Sequence, residues 1–298
     1  MTSKPVVHLH VGIHKTGSTF LQRVFQQSLS GPRSGDVAYI PFPDVRSRIT
    51  PAVLQAAKVV GGLGGVGLRD CQALLAASME RAGSMFLSDE NLLGSLYRFS
   101  RERGVYPGAQ ENLQVIAGLF KRDADIVIYL SIRNYASWLE SVYLQFLKKR
   151  KKLISFEEFL GLACVESISL YSLVCRLSEA IPSARIVLWC YEDFVDNNQK
   201  ILNSISSVLG DVKLTMVDFD GNPSLSVVAY DALMAARVAG IRNGDARKLV
   251  KFVRKHFAVT SGYPKPQLFG KGDVDLLSKQ YENDLALLCE LTNVCFLG

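Results

Sequence analysis

The 298-residue sequence lacks several features that mark metal-binding, secreted or membrane proteins. Its six cysteines form no C-x-x-C pair and have no nearby histidines at metal-ligand spacing, so we expect reduced thiols and no metal site. No repeat or low-complexity tract is present. The most apolar window, residues 49–68, contains a proline, a lysine and several glycines, so we predict no transmembrane helix there.

The N-terminus and the charge balance exclude two further classes of protein. MTSKPVVHLHV enters a strand pattern directly and has no long apolar region or small-residue cleavage site, so we expect a cytoplasmic protein without a signal peptide. Lys and Arg number 34 against 28 Asp and Glu. The resulting charge of +6 favours anionic ligands but is too low for a dedicated nucleic-acid-binding protein, and we expect no nucleic-acid partner. The oligomeric state stays open.

Short apolar runs alternate with longer helical patterns along the chain. This alternation predicts a single-domain α/β fold over residues 1–298, with three layers and a central, mostly parallel sheet of about five strands flanked by helices. Ligands of such sheets bind beyond the carboxyl ends of the strands. The predicted strands are 6–11, 84–87, 126–131 and 185–189, and the predicted helices are 18–29, 68–81, 111–121, 137–149, 156–160 and 199–209.

The loop after the first predicted strand, VGIHKTGSTF at 11–20, has the features of a phosphate-binding loop. Gly12 and Gly17 are spaced as G-x-x-x-x-G, and two hydroxyl residues follow at the start of a helix, whose backbone N–H groups can receive an anion. A Walker A loop for ATP requires lysine directly after the second glycine, but Ser18 stands there and the cation is Lys15. A lysine ahead of the turn suits a single 5′-phosphate that carries a leaving group.

A second pattern follows the predicted strand 126–131. Arg133 stands at the strand end, Ser141 lies eight residues further on the next predicted helix, and Tyr143 follows at the next alternate position. An arginine and a serine placed in this way can grip one phosphate together, the arginine through its fork of donors.

At these two segments the chain resembles the sulfotransferase family that uses 3′-phosphoadenosine-5′-phosphosulfate (PAPS), in its bacterial and carbohydrate-type members. HKTGSTF is similar to the loop that holds the 5′-phosphosulfate in that family, and the spacing of Arg133 and Ser141 is similar to its 3′-phosphate motif R-x-P-x-x-x-x-x-S-x-Y. The resemblance implies a P-loop-like fold, a cofactor PAPS that leaves as 3′,5′-adenosine bisphosphate (PAP), and no requirement for a metal. Family-like segments further along the chain are YEDF at 191–194 and NPSLS at 222–226.

The resemblance also implies roles for individual residues. Lys15 would stabilise the leaving oxygen, and Thr16, Gly17, Ser18 and Thr19 would hold the 5′-phosphosulfate. Arg133 and Ser141 would hold the 3′-phosphate. Two departures stand out: Tyr135 replaces the usual proline, and the C-terminal aromatic-lysine-glycine loop of cytosolic animal members has only a weak counterpart in the set Phe269, Lys271 and Gly272.

The acceptor hydroxyl requires a base, and the strand-end sequence SDEN offers one. We predict that Glu90 is this base, with its pKa raised by partial burial, and His14 is the competing candidate. His8 and His10 alternate with apolar residues in the first predicted strand, and we interpret them as structural.

Two other patterns have simpler interpretations. Gly62, Gly64 and Gly67 form a G-x-G-x-x-G of the kind that binds NAD, but the preceding segment PAVLQAAKVV favours a helix over the strand that this motif requires. The run KKRKK at 148–152 ends a predicted helix, where basic residues complement the macrodipole on a solvated face. An anionic acceptor, a nucleic acid or a lipid head group is the alternative partner for that run.

The sequence therefore predicts transfer of a sulfuryl group from PAPS to a hydroxyl, or less favourably an amine, of a carbohydrate or small-molecule acceptor. The alternatives are a P-loop kinase of a small substrate and a non-enzymatic nucleotide-binding module. The acceptor's identity and charge stay open, because the segments expected to shape its pocket, residues 33–69 and those beyond 221, carry no motif.

Overall fold

The computed structural model describes residues 4–30, 37–59, 66–120, 124–149, 152–218 and 223–297. Its strands are β1 (Val6–His10), β2 (Val37–Tyr39), β3 (Ser84–Ser88), β4 (Phe99–Ser100), β5 (Gly104–Val105), β6 (Asp125–Ile132), β7 (Arg185–Cys190) and β8 (Val294–Phe296). Its α-helices are α1 (Ser18–Leu29), α2 (Phe42–Asp44), α3 (Thr50–Ala56), α4 (Val66–Met79), α5 (Ala109–Leu119), α6 (Tyr135–Lys149), α7 (Phe156–Ala163), α8 (Leu170–Ala180), α9 (Tyr191–Asp196), α10 (Asn198–Val208), α11 (Val227–Val238), α12 (Asn243–His256) and α13 (Lys271–Cys289).

Six strands form the central sheet in the order β2-β3-β1-β6-β7-β8, and every pairing between them is parallel. Parallel neighbours require a crossover between them, and the crossovers run through helices. The prediction of an α/β fold with a central parallel sheet flanked by helices is confirmed. The sheet has one strand more than the predicted count of about five, and the four strands located from the sequence do not include the edge strands β2 and β8.

The sheet is buried on both faces, as the near-continuous apolar strands predicted. In β7, Ile186 and Leu188 pack into one core, and Val187 and Trp189 pack into the core on the opposite face. Helix α1 covers the second face through residues such as Phe25. Because β1 lies inside the sheet, the loop that follows it opens at the middle of the carboxyl edge.

The four predicted strands and six predicted helices all exist, with ends that differ by a few residues. Helix α1 has the predicted bounds, whereas α7 extends to Ala163.

The segment before the glycine cluster contains α3, which confirms that it is not a strand; Gly62 and Gly64 lie outside the described residues. The six cysteines are free thiols, as expected.

No single helix in the described ranges is long and apolar enough to cross a membrane. Two consecutive segments, Phe156–Ser167 and Leu170–Ala180, meet the length and composition criterion only as a pair, and they are bent by 58°.

Candidate active site

A cleft of about 660 Å³ opens at the carboxyl edge of the sheet. The residues that follow β1, β3 and β6 meet there because the carboxyl ends of parallel strands share one edge. All but one of the predicted site residues line the cleft; the exception is Thr16, which is buried beneath it. The lining set includes His14, Lys15, Gly17, Ser18, Thr19, Glu90, Arg133 and Ser141.

The loop between β1 and α1 is held in an unusual conformation. Gly12, Lys15 and Gly17 all have positive φ values, of 32°, 72° and 81°. Glycine adopts this region readily, whereas lysine does so at a cost, which marks Lys15 as a position fixed by its surroundings. The Thr16 hydroxyl donates to the carbonyl of Ile13 and closes the turn from inside. Thr16 therefore shapes the loop, whereas Ser18 and Thr19 face the cleft.

The loop delivers the N-terminus of α1 to the cleft without a side-chain cap. Gly17 is the N-cap residue and makes no side-chain capping bond, and the first turn contains no acidic residue. The first N–H groups of a helix have no partner within the helix and carry partial positive charge. This 12-residue helix thus presents an anion-binding terminus beside Lys15.

Arg133 connects the second predicted motif to the first. Its Nη1 donates to the carbonyl oxygen of Lys15 at 2.8 Å, and its Nε donates to Ser137 Oγ at 2.9 Å. The guanidinium also lies over the ring of Tyr191, 4.5 Å from its centre, which involves the YEDF segment in the site. The two predicted anion-binding segments are therefore in direct contact.

The other residues of the second motif differ in location: one lines the cleft and the others are buried in the core. Ser141 lines the cleft two turns along α6 from Arg133, but Tyr143 points into the core and donates its hydroxyl proton to the carbonyl of Ile154 at 2.8 Å. Tyr135, at the position where the resembled motif has proline, is buried, and its hydroxyl bonds to Asp284 and to the N–H of Leu170. Tyr135 thus starts α6 and ties it to α8 and α13.

Lys15 and Arg133 belong to a larger group of cations. The charge of Lys265 acts on Lys15, and the charge of Lys15 acts on Lys148. Burial lowers the pKa of Lys15, and the charges of Arg133 and Lys265 lower it further. None of these four cations is ion-paired to a carboxylate among the described residues. An anion in the cleft would relieve their mutual repulsion.

A second part of the cleft wall is built around two carboxylates. Asp89 is fully buried, and it accepts hydrogen bonds from Arg46 at 2.6 Å and from Thr50 at 2.8 Å. Glu90 accepts from Arg46 at 2.8 Å and from Gln22 Nε2 at 2.8 Å. Arg46 therefore bridges the two acids, and both belong to a connected network rather than standing free.

The pKa of Glu90 corrects one expectation from the sequence. Burial alone would raise this pKa, as we predicted, but the positive charges of Arg46 and of His14 when protonated, and the bond from Gln22, outweigh burial. The net pKa lies below the ordinary 4.5, so the predicted direction was wrong. Glu90 is ionised at neutral pH and can accept a proton without first losing one.

His14 is held from both sides. Its Nδ1 contacts the Tyr106 hydroxyl at 2.8 Å, and its Nε2 contacts Asn91 Oδ1 at 3.2 Å. Because the Asn91 amide nitrogen donates to Asp89, its oxygen faces His14 and requires a proton on Nε2. The remaining lone pair on Nδ1 then accepts from Tyr106. Burial lowers the pKa of His14, so the imidazole is neutral and its acceptor nitrogen is already used.

His8 and His10 are buried within the sheet, as their alternation predicted. His8 Nδ1 contacts Tyr129 Oη at 2.9 Å, and His10 Nδ1 contacts Ser88 Oγ at 2.7 Å. Burial lowers the pKa of each to about 4. These contacts connect β1 to β6 and β3, which is a structural role.

Sequence reasoning missed residues that line the cleft, such as Lys265, or that hold its lining residues, such as Arg46 and Tyr106, because they belong to no motif. Arg46 comes from an irregular helical turn, Tyr106 from a loop with a φ of 50°, and Lys265 from the segment before α13. Glu140 on α6 fastens that last segment by accepting from the N–H groups of Leu268 and Phe269. Only the surplus of lysine and arginine over acids hinted at further cations.

Comparisons with known proteins give distant similarities. No protein-family model matches the chain, and no curated protein matches it. The crystal structure of a sulfotransferase from Alicyclobacillus acidocaldarius is similar, with 16% identity, coverage of 84% of this chain and 96% of that chain, and a TM-score of 0.45. A structure from the PezAT chromosomal toxin-antitoxin system of Streptococcus pneumoniae has 15% identity, coverage of 85% and 89%, and a TM-score of 0.30. At these values neither similarity assigns a role to a residue of this chain.

Proposed function

We propose that the protein is a PAPS-dependent sulfotransferase that acts on a hydroxyl, or less favourably an amine, of a carbohydrate or small-molecule acceptor. The observation that carries this proposal is the contact between the two anion-binding segments, with Arg133 bonded to the Lys15 carbonyl at 2.8 Å in one cleft. A nucleotide with phosphates on both its 5′ and 3′ oxygens needs two such groups close together, whereas ATP needs one continuous cradle and a lysine after the second glycine.

The donor set fits PAPS. The uncapped N-terminus of α1, with the hydroxyls of Ser18 and Thr19, would hold the 5′-phosphosulfate. Arg133 and Ser141 would hold the 3′-phosphate through charged and neutral hydrogen bonds. Bound PAPS supplies a sulfuryl group whose S–O bond to the 5′-phosphate breaks as a new S–O bond to the acceptor oxygen forms, with the electron pair left on the phosphate oxygen.

Two side chains of this chain would assist that transfer. The Lys15 ammonium would stabilise the negative charge that develops on the departing phosphate oxygen, an interaction that strengthens toward the transition state. Glu90 would take the proton of the acceptor hydroxyl; it faces the cleft, it is ionised, and each of its oxygens retains a lone pair beyond the bonds from Arg46 and Gln22. His14 has no free acceptor nitrogen, so we assign it a positioning role beside the loop.

The test is turnover of PAPS labelled with ³⁵S in the presence of a panel of hydroxyl acceptors, with PAP release measured in parallel. We expect acceptor-dependent PAP release and labelled product. Turnover of ATP with Mg²⁺ but not of PAPS would indicate a kinase, and PAP binding without any product across the panel would indicate a binding module.

A further inference from the structure

Gln22 connects the helix that carries the proposed phosphosulfate site to the proposed base. Its Nε2 donates to Glu90 Oε2 at 2.8 Å. The side chain is buried, with 3% of the residue exposed, and it does not line the cleft. Gln22 belongs to neither phosphate motif. It therefore contacts the base without being placed to contact a ligand.

The position of Gln22 is fixed by helix α1. Gln22 follows Ser18 by four residues, so it lies on the same side of the helix, one turn or about 5.4 Å further from the N-terminus. Its helix neighbours Leu21 and Phe25 are fully buried in the core between α1 and the sheet. The donor to the base and the terminus proposed to hold the phosphosulfate thus belong to one packed helix.

Glu90 requires more than one donor to keep its orientation. The terminal torsion of a glutamate side chain is broad, so the chain itself does not fix the plane of the carboxylate. Arg46 holds Oε1 at 2.8 Å, but the Arg46 side chain is 41% exposed and is shared with Asp89. Gln22 holds the other oxygen from the buried side. Two donors from separate elements, one on each oxygen, together define the plane.

The two donors differ in charge, which gives them different effects on the base. A cation beside a carboxylate favours its ionised form and weakens it as a proton acceptor. Arg46 already supplies one such cation. The amide of Gln22 is a neutral donor, so it directs the second oxygen with a smaller loss of basicity than another cation would cause.

We propose that Gln22 is a positioning residue that aligns Glu90 with the sulfuryl group held at the N-terminus of α1. This inference rests on the proposed function and adds how its base and its cofactor are kept in register. The acceptor oxygen must lie between the sulfur atom and the base during transfer. One turn of α1 and one hydrogen bond hold the two at a fixed separation, and a displacement of about 1 Å in such a geometry can cost about 100-fold in rate.

The first test replaces the amide by an unbranched side chain without a donor. Gln22→Met is the variant, and Gln27→Met, at an exposed position of the same helix, is the matched control. We expect kcat with PAPS at pH 7 to fall about tenfold or more in Gln22→Met and less than twofold in the control. PAP affinity, measured by calorimetry, should stay within threefold in both. The Arg46 bond remains in both variants and favours the ionised carboxylate, so the fall in kcat reports alignment.

A double variant separates positioning from an independent role. If Gln22 acts through Glu90, the removal of the base leaves no group to align. The kcat of Gln22→Met combined with Glu90→Gln should then stay within twofold of that of Glu90→Gln alone. Losses that multiply in the double variant would overturn the proposal, because Gln22 would then act without Glu90.

The pH profile provides a readout that a purely structural role would not change. Burial raises the pKa of Glu90, and the charges of His14 and Arg46 and the bond from Gln22 lower it. Loss of that bond should raise this pKa, so the acid limb of kcat/KM should move to higher pH in Gln22→Met and stay in place in Gln27→Met. A lower urea midpoint with an unmoved limb would reduce Gln22 to a packing residue and overturn the proposal.

A second variant, Gln22→Ala, is measured in the same way and replaces Gln22→Met if that protein does not fold. Full kcat at pH 7 in a folded Gln22 variant, while wild-type protein turns over PAPS, would overturn this inference alone. Wild-type protein that neither binds PAP nor turns over PAPS would overturn the proposed function and this inference with it.

Discussion

The two walls of the cleft differ in how their charges are satisfied. On one wall, Lys15 and Arg133 have no carboxylate partner within the described ranges. On the other wall, Asp89 and Glu90 share the guanidinium of Arg46 and accept further bonds from Thr50 and Gln22. A bound anion would give the cations of the first wall a partner, whereas the carboxylates of the second wall already have donors within the protein. The cationic wall is therefore suited to binding and the carboxylate wall to holding a base in place.

The largest expected effect comes from the carboxylate wall. Glu90→Gln keeps the shape of the side chain and removes the proton acceptor, so kcat should fall by about 100- to 10,000-fold. PAP affinity, measured by calorimetry, should stay within threefold. A variant that retains more than a tenth of the wild-type kcat would remove Glu90 from the chemistry.

The pH profile sharpens the same assignment. A base must be deprotonated, and the pKa of Glu90 lies below its ordinary 4.5, so kcat/KM should be flat above that value and fall as pH decreases through the lowered pKa. Glu90→Gln should abolish this acid limb. A limb centred well above 4.5 that disappears in His14→Gln would assign the base to His14.

Lys15→Ala removes the cation proposed to act on the leaving oxygen. We expect kcat to fall by about 100- to 1,000-fold, the usual consequence of removing one donor that acts on a developing negative charge. The far-ultraviolet circular dichroism should not change, because Lys15 makes no side-chain bond to the rest of the loop among the described contacts. Lys58→Ala, an exposed lysine outside the cleft, is the matched control and should keep full activity.

Arg133→Ala should weaken PAP binding by about 10- to 100-fold, since a charged hydrogen bond contributes about 1.5–3 kcal/mol. Ser141→Ala removes a neutral donor from the same wall and should cost less, about threefold to tenfold. Both are measured by calorimetric titration. An equal or larger effect of Ser141→Ala would contradict the assignment of the guanidinium as the principal 3′-phosphate ligand.

Arg46→Ala tests whether the carboxylate wall is satisfied internally. Asp89 would remain fully buried with one partner fewer, and the free energy of unfolding should fall by about 1–3 kcal/mol, read from the urea midpoint at constant m. Arg48→Ala, exposed in the same helical turn, should change stability by about 0.5 kcal/mol or less. Equal stability of the two variants would show that the bridge is not structural.

The smallest effect is expected at Tyr143, which the resemblance places in the phosphate motif and the structure places in the core. Tyr143→Phe should cost about 0.5–1.5 kcal/mol of stability because the carbonyl of Ile154 loses its donor. PAP affinity should not change. A tenfold loss of PAP affinity with unchanged stability would return this tyrosine to the binding site.

The residues of the cationic wall could be predicted from the sequence, whereas the contacts of the carboxylate wall could not. Lys15 and the second glycine lie two residues apart, and Arg133 and Ser141 lie on one strand-helix unit. Such short spacings can be recognised in the sequence alone. The carboxylate wall brings Gln22, Arg46 and Glu90 together from separate elements, and no local pattern encodes such contacts. The wrong direction for the pKa of Glu90 has this cause, because Arg46 and Gln22 are distant in sequence.

The prediction of the fold was limited in the same way: the central strands were found and the short edge strands were missed. Strands buried on both faces, such as β6 and β7, have apolar runs that identify them, whereas β2 and β8 have three residues each and lie at the sheet edges. Short edge strands form because a neighbour offers hydrogen bonds, which no single-segment pattern records. The five lysines and arginines of α12 are visible in the sequence, but only the fold places Pro223 and Ser224 between the cleft and a second cavity beside α12.

The most direct measurement of the central claim compares PAP with adenosine 5′-monophosphate by calorimetry in wild-type protein and in Arg133→Ala. The two ligands differ only in the 3′-phosphate. If the two anion-binding segments share one nucleotide, the wild type should prefer PAP by at least tenfold, and Arg133→Ala should lose most of that preference while affinity for the monophosphate changes little. Equal affinity for the two ligands in the wild type, or an unchanged preference in Arg133→Ala, would contradict the assignment.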